Sequence, residues 1–333
     1  MKKVLFIVLL FLHNNVWAQS PIEQGILLFN QKEYQQAEEI LQQQSNDGSA
    51  YATFWLGVVQ YKNRKHFQAG DTFLKAAKMG DPWAMGVLSG HEYYVNNPCS
   101  YLSWPCDEKW YDLAVSKWKQ EAENGNGKAL LQLQFFTNKW RSYIPILGRY
   151  LIDTNYVESL ESGGVNAIFY ISRFSDISAD EEVRYLKFAA NQGYAPAMET
   201  LYYRMDIIGL DEAMKWINKA IKLGYAEAAE TLYFTYSQGE KDRAGKVIIQ
   251  PDPKKAYYYN RLSGALGGEE RQSNVTETLM IKDSQVVVDE NGDPVFEILV
   301  TEQEQAEMDK QVAEFVKDIK PNMFLDETSI DLF

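Results

Sequence analysis

The chain carries 46 acidic and 33 basic side chains in 333 residues, a formal charge of −13, with three histidines and two cysteines. That balance repels nucleic acid and anionic lipid headgroups and favours a partner with basic groups. Its length suits two ordinary domains or one extended repeat array, and 14% aromatic content supplies ample material for packed helices.

The chain opens MKKVLFIVLLFLHNNVWAQS: two lysines, an apolar run from Val4 to Leu12, then a polar stretch ending in Val16-Trp17-Ala18. This is the layout of a secretory signal peptide cut after Ala18. The run is less than half the ~20 apolar residues that a membrane-crossing helix needs. Residues 1–18 are therefore expected to leave, and the rest to be periplasmic or secreted, soluble and without membrane insertion. Losing Lys2 and Lys3 and no acid moves the charge from −13 to −15.

From residue 19 to 271 a repeat dominates. Six glycines, Gly48, Gly80, Gly125, Gly163, Gly193 and Gly224, are each followed by alanine four residues on and by leucine or isoleucine eight residues on. Their spacings are 32, 45, 38, 30 and 31; Gly267 breaks the pattern with Arg271 and Val275. The spacing predicts a helix pair per unit. Glycine closes the second helix in the left-handed conformation, and Ala and Leu four apart share one face of the next helix. A single pair cannot bury its apolar faces, so neighbouring pairs must stack into a solenoid. Trp55, Trp83 and Trp216 are expected in its core.

These residues resemble the Sel1-like repeat family, relatives of the tetratricopeptide arrays. The matching stretches are ATFWLG (Ala52–Gly57), KAAKMGDPWA (Lys75–Ala84), KFAANQGYAPA (Lys187–Ala197) and KAIKLGYAEA (Lys219–Ala228). The resemblance covers about 50–95 and 180–268. Only Gly57 keeps the family's second glycine; Ser89, Gln134, Ser172, Tyr202 and Tyr233 stand elsewhere, which predicts looser helix crossings there. The resemblance implies an all-α, right-handed α-solenoid of helix-turn-helix units. The stretch Val300–Phe315 looks like the closing helix of such arrays.

Three segments interrupt the repeat. The insertion 96–107 contains CSYLSWPC, whose Cys99 and Cys106 are expected to form a disulfide in an oxidising compartment. A metal site there lacks partners, since only His66 and His91 follow the leader. The second interruption is the charged loop GEKDRAGKVIIQPDP, from Gly239 to Pro253. The third, 272–300, contains QVVVDENGDPVFEILV and reads as a β-hairpin around Asn291-Gly292. Asp289, Asn291 and Asp293 imitate a calcium loop, but Pro294 stands where that loop needs glycine. Residues 301–333 read as a capping helix and a tail, PNMFLDETSIDLF; docking of that tail on the chain itself is the usual fate of so many apolar residues.

No catalytic signature is present: no Gly-x-Ser-x-Gly elbow, no His-Glu-x-x-His, no phosphate loop and no Cys-x-x-Cys. Asp180-Glu181-Glu182 and Asp211-Glu212 are explained as acids at helix N-termini. No cofactor and no metal are expected. Opposite the Ala/Leu face, positions six, ten and thirteen after the glycine give Glu199, Tyr203 and Asp206, then Glu230, Phe234 and Ser237. That acidic and aromatic stripe, with Trp104 of the insertion, is the expected partner-binding surface. The expected function is a non-enzymatic exported adaptor holding another protein, such as an envelope protein. A narrower version implied by the resemblance is a periplasmic immunity protein that blocks a lipase toxin of the type VI secretion system. The alternative of another class is a cell-wall-acting enzyme or enzyme subunit.

Overall fold

A computed structural model describes residues 20–90, 98–137, 145–174, 177–242, 244–271 and 275–330. The expected leader 1–18, His91, and Leu332 and Phe333 of the tail lie outside the described residues. Helices follow one another in antiparallel pairs: α1 (Pro21–Asn30) with α2 (Tyr34–Asn46), and α3 (Ala50–Lys62) with α4 (His66–Lys78). Next come α5 (Pro82–Leu88), the one-turn α6 (Pro98–Tyr101) and α7 (Lys109–Glu123), then α8 (Gly127–Thr137) with α9 (Pro145–Glu161). The array continues with α10 (Ala167–Phe174) and α11 (Ala179–Asn191), then α12 (Ala195–Tyr202), the short α13 (Met205–Ile208) and α14 (Leu210–Lys222). It ends with α15 (Ala226–Gln238), α16 (Pro253–Ala265) and α17 (Glu302–Val316). Consecutive long helices pack on each other throughout. The fold is an all-α solenoid of stacked helix pairs.

Local signals set the boundaries. Ser20 with Glu23, Ser178 with Glu181 and Thr301 with Glu304 form reciprocal capping boxes at the starts of α1, α11 and α17. The six repeat glycines and Gly267 all sit at φ between +82° and +100°, closing the second helix of each pair. The alanines four residues on are fully buried in all six units. Five of the six residues at the eighth position are also buried; Leu133 alone is half-buried. At Gly57 a Cβ would come within 2.8 Å of the Phe73 ring, so glycine is what lets α3 and α4 close on each other.

Apolar packing is continuous in two clusters, one built from α1–α8 and one from α8–α17. Trp55 and Trp83 lie inside the first, while Trp216 lies at the edge of the second. The two ends of the array meet. Lys32, in the α1–α2 turn, donates to the carbonyl of Gly267 after α16, and Glu33 pairs with Lys320 at 3.4 Å.

The interruptions take definite forms. Cys99 and Cys106 are joined in a disulfide, with Cα atoms 5.9 Å apart. Between α15 and α16, β1 (Glu240–Lys241) and β2 (Val247–Ile249) make an antiparallel ribbon. Between α16 and α17, β3 (Glu277–Leu279) pairs antiparallel with β6 (Phe296–Ile298), and β4 (Ile281–Lys282) with β5 (Gln285–Val286). The expected hairpin turn at Asn291-Gly292 is present: Val288 bridges Pro294, and the Asp289 and Val295 N–H groups donate to the Asp293 and Val287 carbonyls at 2.8 and 2.9 Å. A second turn, not expected, lies at Asp283-Ser284, both at positive φ. The Asp289 carboxylate accepts from the backbone N–H groups of Asn291 (2.8 Å) and Asp293 (3.0 Å), a turn-closing role.

Candidate functional site

The α12 and α15 units show how the repeat positions the stripe. Gly193 and Gly224 end the preceding helices, and Ala197, Leu201, Ala228 and Leu232 are buried between them. With that face fixed inward, Tyr203 and Phe234 point out, at 55% and 39% exposure. The Thr231 hydroxyl donates to Glu199 Oε1 at 2.6 Å and accepts from the Tyr203 hydroxyl at 2.8 Å, joining the two helices through polar groups. Burial raises the Glu199 carboxyl above its ordinary value, opposed by the Thr231 bond. Glu230 takes Arg271 Nε at 2.9 Å and Nη2 at 2.5 Å, and the same guanidinium lies 4.9 Å from the Phe234 ring centre. Asp206, on α13, is exposed and shares a shallow cavity of about 410 Å³ with Tyr203, Arg204, Glu182 and Glu240.

The structure therefore links Glu199 and Tyr203 through Thr231, sets Asp206 beside Tyr203 on the wall of that cavity, and places Glu230 and Phe234 against Arg271. Trp104 does not join them, and its expected place on a partner surface is corrected. Its indole is 7% exposed, rests on Gly70 of α4, lies 5.3 Å from the Phe73 ring and donates to the His66 carbonyl at 2.9 Å. The disulfide loop presses this residue into the first core, so it is a packing residue. The glycine in HFQAGDTF, which leaves room for an indole, was the sequence signal for it.

The larger apolar surface lies elsewhere. Seven large apolar side chains between Leu279 and Ile298 are exposed, with Ile281 at 65% and Ile298 at 68%. Every residue of β3 to β6 is exposed, so this unit stands off the helices and both its faces meet solvent. The sequence marks these residues as strands but not as exposed on both faces, because alternation reports a half-buried strand and these strands bury neither face.

The tail docks on the chain itself, as its apolar residues lead one to expect, but the side chains that receive it carry no signal in the sequence. The tail after α17 lies in the middle of the array, along the row of turns that begin the first helix of each pair. Phe324 meets the rings of Tyr194 and Tyr225 edge-on at 6.4 and 5.8 Å. Glu327, 3% exposed, accepts from the Tyr51 hydroxyl and pairs with Lys128 at 2.7 Å. Beside it is a cavity of about 450 Å³ lined by Tyr51, Asp81, Trp83, Glu121 and Lys128. Asp81 caps α5, accepting from the Ala84 N–H at 2.8 Å, and is itself buried; burial first, then Glu121 and Glu327, push its carboxyl up to about 8 against that bond. Burial works against the charge of Lys128, but Glu327 and Asp326 outweigh it and hold the ammonium above its ordinary range. Among the described residues, no group of His, Cys, Asp or Glu side chains is placed to hold a metal ion.

No protein-family model matches the sequence, and no curated protein does. Among solved structures the chain is similar to two Sel1-repeat proteins. One is a protective antigen present in uropathogenic Escherichia coli strains that displays an SLR fold: 16% identity, 86% of this chain and 57% of that one covered, TM-score 0.43. The other is a Sel1 repeat protein from Oxalobacter formigenes: 19% identity, 73% of this chain and 99% of that one covered, TM-score 0.41. The chain thus spans a little over half the length of the first.

Proposed function

We propose that this chain is an exported protein-binding scaffold, with its partner seated on the β-strand appendage at 275–300 and on the Tyr203–Phe234 stripe. The exposed apolar surface between Leu279 and Ile298 carries the reading, because a monomeric surface rarely leaves so many large apolar groups together in water. Aromatic anchors rimmed by acids, as at Tyr203 and Phe234, suit the same task. The Cys99–Cys106 disulfide supports an oxidising compartment. No described helix is long and apolar enough to cross a membrane. A toxin as partner would make the scaffold an immunity protein; an envelope protein would make it an adaptor.

The test is affinity capture from an envelope extract with the unaltered chain and with an Ile281→Asp, Ile298→Asp variant of equal helicity. The unaltered chain should retain a stoichiometric partner that the variant loses. Equal retention by both, or none by either, refutes the reading.

A further inference from the structure

We propose that the centre of the array is a binding site for a peptide of the pattern aromatic–aliphatic–acid–acid, and that residues 321–330 are its resident ligand. This site adjoins the stripe, where Glu199 is hydrogen-bonded to Tyr225, but the inference does not depend on that reading.

The tail is held in two ways. Part of the recognition reads only its backbone. Asn30, 6% exposed, accepts from the Leu325 N–H at 2.6 Å and donates to the Leu325 carbonyl at 3.0 Å, as a neighbouring strand would. The Asn30 carbonyl takes the Met323 N–H at 3.1 Å, and the Gly224 carbonyl takes the Asn322 N–H at 2.9 Å. Asn166, equally buried, donates to the Thr328 carbonyl at 3.1 Å. These contacts read backbone groups rather than side chains, and two buried amides must find such partners because leaving them bare is costly. The other part reads side chains: Phe324 between Tyr194 and Tyr225, Leu325 against the first core, Asp326 and Glu327 at Lys128. Backbone clamps supply affinity and side-chain pockets supply selection, the division of labour seen when extended peptides are recognised.

Two features mark the occupant as exchangeable. The tail forms no helix or strand after α17: its one internal element is the turn at Asp326, whose carboxylate accepts from the Thr328 N–H at 2.9 Å, and residues 321–325 are held by contacts with the groove. Phe324 sits at φ +56°, a conformation that costs a bulky residue and that a peptide with another spacing could avoid. Tethering offsets that cost: a segment in the same molecule acts at an effective concentration in the millimolar range, which an incoming peptide must overcome.

The experiment uses the full chain carrying Phe324→Ala and Glu327→Ala, and a fluorescent peptide of residues 320–333 as the probe, read by anisotropy. The altered chain should bind the peptide at least tenfold more tightly than the unaltered chain. Adding Lys128→Glu to it should reverse that gain. Should the altered chain lose helicity, the unaltered chain with a protease site at 317–320 replaces it. After cutting, the labelled peptide should exchange with the severed tail. Equal or absent binding by a normally folded altered chain, or no exchange after cutting, overturns the proposal.

Discussion

Replacing Asp81 by asparagine should make the protein less sensitive to pH. The Asp81 carboxyl is buried, and its value of about 8 in the folded chain stands well above the ordinary 3.8. A carboxyl raised by folding favours the folded state when protonated. Its contribution is complete below the unfolded value and is lost as pH rises toward 8. Between those values the folded state holds one more proton than the unfolded chain, so stability falls by about 1.4 kcal/mol per pH unit. From pH 5 to pH 7 that amounts to roughly 2–3 kcal/mol on this one group. Asparagine keeps an oxygen for the Ala84 N–H and caps a helix about as well as aspartate, yet carries no proton to lose. Urea unfolding of both proteins at pH 5, 6 and 7 should show the Asp81→Asn advantage growing by that amount across the series. Parallel pH curves would refute the reasoning, since groups not coupled to Asp81 cancel in the difference and its neighbours Glu121 and Glu327 shift only with it.

Gly224→Ala should be more costly than Gly193→Ala. Both glycines have positive φ, worth about 1–2 kcal/mol against an L-residue, but a Cβ at Gly224 would also meet the Lys320 carbonyl, whereas at Gly193 it meets nothing. Urea midpoints and protease nicking of the tail compare them. Trp104→Ala should lose about 3–5 kcal/mol by leaving a cavity over Gly70, seen in thermal melts. Reducing the Cys99–Cys106 bond should lower stability by about 2–3 kcal/mol, because the loop it closes is short, and should shift Trp104 fluorescence.

The repeat was legible because its rule is local: a glycine at positive φ, then Ala and Leu on the inner face, all within nine residues. The disulfide was legible from two cysteines alone. The tail's site was not, because it joins residues almost three hundred positions apart: Asn30 meets Leu325 only after the two ends of the array have come together. Asn30 and Asn166 carry no mark in the sequence that separates them from any surface amide. Trp104 misled for the opposite reason. An aromatic in an irregular insertion looks like an anchor for a partner, and only the space over Gly70 shows that its partner is the chain itself. At 272–300 the strand content was legible, but the turn at Asp283-Ser284 was not, since that dipeptide is a weak hairpin signal beside Asn-Gly.

The meeting of Lys32 with Gly267 and of Glu33 with Lys320 limits how this protein can change its length. An open array can gain or lose a unit by duplication or deletion, and its neighbours adjust. Here an extra pair of helices would drive the first turn away from the last and draw the tail out of step with Asn30, Lys128 and Asn166 together. Closure therefore opposes a change in repeat number, whereas segments between units that stand off the helices, such as the β-strand appendage, can vary in length without moving the two ends.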